Sequence, residues 1–168
     1  MRVRAEMRED RAAVRRAHEL AFEGAAEANL VDALIADAAT HVSLVAVEDG
    51  LVVGHILFSP VTVESADGDW QATALGPLAV IPERQRRGVG SELIGEGLTE
   101  CLRLGQEVVF VLGHADYYPR FGFRTARPLG VTCEFPSPDE NFMVAELRPG
   151  ALAGRTGLVR YRPEFQNV

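Results

Sequence analysis

The chain has 168 residues, of which 47% are hydrophobic, and this length suits one domain spanning 1–168 better than two. Its formal net charge of −7 excludes a protein that binds nucleic acid through a broad basic face. No apolar stretch is long enough to cross a membrane, and the first residues lack the hydrophobic run of a signal peptide, so we expect a cytoplasmic protein.

The first half of the chain is predicted to contain two helices and then a run of strands. A short strand at 3–5 precedes a helix that starts at Glu9-Asp10, and a second helix follows around 30–35, because apolar residues recur there at helical spacing. Two apolar arms, 43–47 and 51–58, flank Asp49-Gly50 and predict a hairpin. The second arm is expected to continue through 61–64, and 72–80 is the next strand.

The second half begins with a predicted strand, helix and parallel strand. After the strand at 72–80, apolar residues share one face of a helix at 89–102, and 108–112 reads as a buried strand that a right-handed crossover would make parallel to the first. A turn or short helix is expected at 117–121, a strand from 122, another at 142–147, and a tail containing Pro149-Gly150. These elements predict an α/β fold.

A candidate anion site lies between the two parallel strands. Gly88 and Gly90 stand where the helix begins, so unpaired N–H groups and the positive end of the helix dipole meet there without an obstructing Cβ. Arg84, Arg86 and Arg87 add positive charge in an otherwise acidic chain. The simpler alternative is a basic loop and a glycine-rich helix start that bind nothing.

Common nucleotide and metal motifs do not fit the chain. A phosphate-binding loop of the Walker type needs Gly-Lys and a hydroxyl residue, and a dinucleotide fingerprint needs a third glycine where Leu93 stands. Cys101 and Cys133 lie far apart with no further ligand at metal-binding spacing, so we expect two idle thiols and no metal.

The loop resembles the hallmark of the GNAT superfamily of N-acetyltransferases, which is Gln or Arg, two residues, Gly, one residue, and Gly or Ala. The segment 85–90, Gln-Arg-Arg-Gly-Val-Gly, matches it in full, and 75–84 and 118–123 resemble the flanking motifs. The segments 53–60 and 112–114, with the double tyrosine, are similar to the bacterial YhbS-like branch. The resemblance covers nearly the whole chain and implies a GNAT-like fold, a central mixed β-sheet flanked by helices.

The resemblance also implies a cofactor, acetyl-coenzyme A (acetyl-CoA), bound by a core at about 72–125. The backbones of Leu78, Ala79 and Val80 would pair with the pantetheine arm like a further strand. The main-chain amides of one continuous loop would hold the pyrophosphate; its residues are Gln85, Arg86, Arg87, Gly88, Val89, Gly90 and Ser91.

In family terms an amine attacks the thioester directly, and Tyr118 is expected to protonate the departing thiolate. A main-chain N–H of residues 78–80 would stabilise the oxyanion. The base is left open among Glu64, His55, His114 and Asp116. The chain departs from the family pattern because 71–80 contains no acid and 113–116 contains no asparagine.

The sequence leaves alternatives open for the function, the acceptor and the histidines. A CoA-binding sensor without turnover and a nucleotide-binding protein that uses the arginine loop are the other candidate functions. The acceptor is a small-molecule or peptide amine, with 22–34 and 58–62 as candidate walls of its pocket. His18 and His41 are interpreted as surface residues, His55 as a packed core residue or a base, and a homodimer is left open.

Overall fold

The computed structural model describes residues 1–168, which form three α-helices and nine β-strands. The helices are α1 (Arg11–Phe22), α2 (Ala26–Ala36) and α3 (Val89–Arg103). The strands in chain order are β1 (Arg2–Ala5), β2 (Val42–Glu48), β3 (Leu51–Glu64), β4 (Trp70–Val80), β5 (Val108–Leu112), β6 (Arg124–Thr125), β7 (Val131–Cys133), β8 (Phe142–Glu146) and β9 (Gly157–Arg160).

All nine strands belong to one mixed sheet. Its main path runs β1-β2-β3-β4-β5-β8-β6, and every neighbouring pair on that path is antiparallel except β4 and β5, which are parallel. The strand β9 pairs with the end of β3 and runs parallel to β7. The parallel pair is joined through α3, as the strand-helix-strand pattern predicted. The mixed sheet with helices confirms the predicted α/β fold class.

Helices cover both faces of the sheet, which explains why its central strands are apolar throughout. On one face, α3 packs Leu93 and Ile94 against a core that includes Ile56 and Phe58 of β3. On the other face, α1 and α2 pack against Val45 and Leu57. A further apolar cluster, centred on the stacked rings of Phe110 and Phe142, fills the space under β8 and β9.

The parallel strands β4 and β5 separate part of the way along. Their pairing ends at Leu75 and Val111, and β4 then continues to Val80 while β5 stops at Leu112. At the same point the register between β3 and β4 shifts, so that Gly76 and Pro77 lie opposite a single residue of β3. Such a bulge bends its strand away from a straight path. The sheet therefore opens between the end of β4 and the end of β5.

Most predicted elements are confirmed, with differences in the C-terminal third. The hairpin turn, the strand-helix-strand unit and the short helix near Tyr118 lie where they were expected. The strand expected from 122 is only the two residues of β6, and β7 and β9 were not predicted, because two to four residues carry too little periodicity. Both cysteines are free and buried. None of the helices combines the length and the apolar character that crossing a bilayer demands.

Candidate functional site

The loop before α3 presents main-chain donors that have no acceptor within the protein. Gln85 N–H donates to Pro82 O, and the first donor of the helix ladder is Glu92 N–H to Gly88 O. Between them, none of the N–H groups from Arg86 to Ser91 donates to a protein atom. The positive end of the α3 dipole lies at the same place, so the loop is suited to an anion.

The conformation of this loop exposes those donors. Arg86 and Gly88 both adopt left-handed backbone angles, with φ of 64° and 88°, and such a conformation is uncommon for a residue with a side chain. A Cβ on Gly90 would lie 3.2 Å from the Tyr117 hydroxyl, so the small residue keeps the approach open. Arg86 and Arg87 are exposed and form no ion pair, whereas Arg84 is paired with Glu48 at 2.8 Å.

The end of β4 has one edge without a strand partner. Leu78, Ala79 and Val80 pair with β3 on one side, and β5 has already diverged on the other. Ile81 N–H donates to Val53 O, so the alternation of an antiparallel ladder directs Ala79 toward β3, and Leu78 and Val80 toward the gap. One group in the gap is occupied, since the Gln85 side-chain amide donates to Val80 O at 2.9 Å. The free edge runs directly into the amide-rich loop.

The two consecutive tyrosines have different surroundings. The Tyr117 hydroxyl lies 3.0 Å from Ser91 Oγ and so joins the end of β5 to the start of α3. The Tyr118 side chain is buried, and its ring packs where a Cβ on residue 113 would stand, a position that glycine leaves free. Burial, with a smaller contribution from Tyr117, raises the pKa of Tyr118 to about 12. Tyr118 is therefore a protonated phenol at neutral pH.

A cavity of about 740 Å³ extends from the opening between β4 and β5. Its lining comes partly from the strand-helix-strand region with the two tyrosines, and partly from α1, α2 and the C-terminal third of the chain. The first group is Leu75, Gly76, Pro77, Leu78, Val111, Leu112, Gly113, His114, Tyr117 and Tyr118. The second group is Phe22, Glu27, Leu30, Phe135, Pro136, Tyr161, Phe165 and Val168.

Of the four candidate bases, only His114 lines the cavity. Glu64 lies at the far end of β3, where it pairs with Arg160 at 2.8 Å. Asp116 is exposed and lines neither side of the cavity. His55 is fully buried in the sheet and hydrogen-bonded, which agrees with its interpretation as a packed core residue.

His55 belongs to a buried histidine network made of Glu6, Ser43, His55 and His18. His55 Nε2 lies 3.0 Å from Glu6 Oε1 and 2.8 Å from Ser43 Oγ, and His55 Nδ1 lies 2.8 Å from His18 Nε2. Burial, with a smaller contribution from His55, lowers the pKa of His18 to about 3. Burial raises the pKa of Glu6, but the hydrogen bonds and charges around it outweigh burial and hold the pKa below its ordinary value.

The interpretation of His18 and His41 as surface residues was wrong. His18 is completely buried under α1, where its ring stacks on Phe22. His41 is half-buried and its Nδ1 lies 3.0 Å from the Thr73 hydroxyl. A lone histidine in a sequence carries no signal of its burial, because its hydrogen-bond partners come from residues far away in the chain.

The sequence analysis also missed most of the cavity lining that comes from outside the strand-helix-strand region and the tyrosines. Glu27 and Phe22 fall inside the segment 22–34 that was suggested as a wall, but 58–62 lies in the sheet interior and does not line the cavity. Phe135, Tyr161 and Phe165 were not predicted. Their aromatic character in a tail otherwise rich in turns was the one available signal.

Known proteins are similar to this chain in sequence over most of its length. The model of the acetyltransferase (GNAT) domain family matches residues 2–126. The N-acetyltransferase YhbS of Escherichia coli K12 is 39% identical over 145 residues, which is 86% of either chain. The N-acetyltransferase YjhQ of the same organism is 41% identical over 135 residues, covering 79% of this chain and 75% of its own.

Solved structures share the fold. E. coli YhbS, crystallised in complex with CoA, superimposes with a TM-score of 0.93 at 36% identity, over 98% of this chain and 91% of its own. A GNAT family acetyltransferase from Brucella melitensis, in complex with acetyl-CoA, gives a TM-score of 0.81 at 35% identity, over 98% and 97%. With a matching family model, relatives above 30% identity and the same fold, this chain belongs to the GNAT family of acetyltransferases.

Proposed function

We propose that this protein is an N-acetyltransferase that transfers the acetyl group of acetyl-CoA to an amine. The observation that carries the proposal is the continuity of three features: donors without acceptors from Arg86 to Ser91, a free strand edge at Leu78–Val80, and a cavity that starts where that edge begins. An elongated ligand with an anionic end and an amide-containing arm fits this sequence of features. The likeness to relatives crystallised with CoA and acetyl-CoA supports the same ligand.

The cofactor-binding core is proposed to be 72–125, within one domain of 1–168. The amides from Gln85 to Ser91 would hold the pyrophosphate, although Gln85 N–H itself already donates to Pro82 O. Leu78 and Val80 present backbone groups to the gap, and they would pair with the pantetheine amides. Arg86 and Arg87 are free to approach the phosphates, and Arg84 is less available because Glu48 holds it.

The bound acetyl-CoA would supply the activated acetyl thioester. The amine nitrogen forms a bond to the carbonyl carbon, the carbon–sulfur bond breaks, the nitrogen releases one proton to water, and the thiolate takes up one proton. The N–H groups of Leu78 and Val80 face the gap and would stabilise negative charge on the carbonyl oxygen. Tyr118 lines the same cavity as a neutral phenol and would donate the proton to sulfur, after which it would take up a proton from water.

Replacement of the Tyr118 hydroxyl tests its role. In Tyr118→Phe we expect kcat for thiol release to fall about 100-fold, the lower range for loss of a general acid, while the Kd for CoA is unchanged. Tyr117→Phe is the contrasting variant, because it removes the bond to Ser91 and should weaken CoA binding with kcat altered by less than about threefold. An unchanged kcat in Tyr118→Phe would remove Tyr118 from the chemistry. Absence of CoA binding by the unmodified protein would remove the proposed function itself.

A CoA-binding domain without turnover is the second candidate. The observation that favours it is the lack of an acid on β4 and the distance of Glu64 from the cavity. A broad panel of amines distinguishes the two functions: tight CoA binding with no thiol release for any amine would identify the non-catalytic domain.

A further inference from the structure

The cavity has a second wall that the cofactor arm does not require. Phe22, Phe135, Tyr161 and Phe165, here called the aromatic wall, line the same cavity as the ends of β4 and β5. The rings of Phe135 and Tyr161 have centroids 5.2 Å apart, and those of Tyr161 and Phe165 are 5.1 Å apart, so three of the four form one packed cluster. Leu30, Pro136 and Val168 complete an apolar surface beside them.

Charge is sparse in this cavity. Glu27, at the start of α2, is the one acidic side chain among its lining residues, and His114 is the one basic side chain. Glu27 is half-buried and has no ion-pair partner in the protein. Of its nearest acidic neighbours in the chain, Asp32 is paired with Arg15, and Glu23 is exposed and does not line the cavity. A carboxylate without a partner beside an apolar surface favours a ligand with one positive charge.

On these grounds we propose that the acceptor is a monoamine with an apolar, ring-sized body, which the aromatic wall holds while Glu27 binds the ammonium group at entry. This inference rests on the proposed acetyl transfer and adds the class of acceptor. The ammonium releases its proton to water, and the neutral nitrogen then attacks as described above.

The same cavity disfavours two other groups of amines. A polyamine would bring further positive charges against the aromatic wall, where no second acidic side chain lines the cavity to offset the cost of desolvation. A free amino acid would place its carboxylate near Glu27 with no arginine among the lining residues to pair with it. Both unfavourable free energies arise from a part of the ligand that takes no part in the reaction.

Matched acceptors test the inference by thiol release with acetyl-CoA. Phenethylamine and phenylalanine differ by one carboxylate, phenethylamine and ethylamine differ by the ring, and spermidine carries additional charges. We expect kcat/KM for phenethylamine to exceed that for each of the other three by about tenfold or more, as expected for burial of a ring or for avoiding an unpaired charge. Equal values, or preference for spermidine, phenylalanine or a lysine-containing peptide, would overturn the inference.

Substitution of Glu27 provides a second test of the inference. Glu27→Gln should raise the KM for phenethylamine about tenfold, the value of one charged hydrogen bond, without changing the Kd for CoA. Glu23→Gln is the matched control, because Glu23 is exposed in the connection that precedes α2 and does not line the cavity. An effect of equal size in both variants would contradict the role of Glu27.

Two further outcomes separate this inference from the proposed function. If CoA binds and some amine is acetylated, but Glu27→Gln and the ring of the acceptor have no effect, the acetyltransferase stands and the acceptor class fails. If Phe135→Ala instead raises activity with octanoyl-CoA relative to acetyl-CoA and leaves the amine preference unchanged, the aromatic wall serves the acyl chain and the inference is wrong. If the unmodified protein does not bind CoA, both proposals are wrong.

Discussion

The amide-rich loop and the buried histidine network are both polar, but most hydrogen-bonding groups of the network have partners in the protein and those of the loop do not. His18 Nδ1 is the one ring nitrogen of the network that is buried without a partner. In the loop, the N–H groups from Arg86 to Ser91 have no acceptor in the protein. In the network, Glu6 Oε1 and both ring nitrogens of His55 lie within 3.1 Å of polar partners, in a site closed to solvent.

This contrast separates a binding site from a structural one. Exposed donors without acceptors cost little, because water satisfies them until a ligand replaces it. Buried groups must find partners within the fold, since each one left unsatisfied costs about 1–3 kcal/mol. Damage to the loop should therefore weaken ligand binding, and damage to the network should weaken folding.

The largest effect is expected when the network loses its carboxylate. Glu6→Ala leaves His55 and Ser43 without their common partner and removes the ion pair with Arg11, so we expect the free energy of unfolding to fall by about 3 kcal/mol. Urea titration measures this change. The Kd for CoA should be unaltered at temperatures where the variant remains folded.

Glu9→Ala is the matched control for this prediction. Glu9 is exposed in a short 3-10 helix, Arg8–Asp10, that follows Glu6 and precedes α1, and it forms no ion pair, so its loss should change stability by less than about 0.5 kcal/mol. Similar losses in both variants would mean that the network adds nothing beyond ordinary surface charge.

The complementary effect is expected in the loop. In Gly90→Val, the side chain would approach the Tyr117 hydroxyl and cover the neighbouring amides, so the Kd for CoA should rise about 30-fold, equivalent to about 2 kcal/mol. Gly95→Val places the same residue in α3 at a position with open space and should leave the Kd unchanged. Calorimetric titration measures both. Equal Kd values for the two variants would show that CoA does not approach this loop.

The two regions also differ in how well the sequence predicts them. The loop is local: the Gly88-Val-Gly90 spacing, the end of β4 and the start of α3 all lie within one short segment, so a pattern could locate it. The network joins residues 6, 18, 43 and 55, whose approach depends on how β1, α1 and β2–β3 pack. No local pattern contains that information, and His18 was accordingly taken for a surface residue.

The cavity shows the same division between its two walls. For the part formed by β4 and β5, the sequence located the strand-helix-strand unit, and it singled out Leu78, His114 and Tyr118, which line the cavity. The aromatic wall comes from α1, a segment after β7 and the C-terminal residues, which meet because β9 pairs with both β3 and β7. Since β7 and β9 have only three and four residues, their pairing had no detectable periodicity.

The smallest expected effect is a pH dependence of the free energy of unfolding, which comes from the buried histidine network and not from the loop. The pKa of His18 is about 3 in the folded protein and about 6.5 when unfolded, because burial disfavours the charged ring. Below pH 6.5 the unfolded chain therefore binds a proton that the folded protein does not. Protonation of His18 in the unfolded chain therefore lowers the free energy of unfolding as the pH falls through 6.5. We expect a decrease of about 1.4 kcal/mol between pH 8 and pH 5.5.

Urea titrations at both pH values, on the unmodified protein and on His18→Gln, measure this contribution. Burial also lowers the pKa of His41, which adds a loss of the same sign, so the difference between the two proteins isolates His18. The lowered pKa of Glu6 acts mainly at more acidic pH, because its carboxylate reference lies near 4.5. If His18→Gln retains the full pH dependence, His18 is not held neutral by burial, and the network is less closed to protons than its geometry indicates.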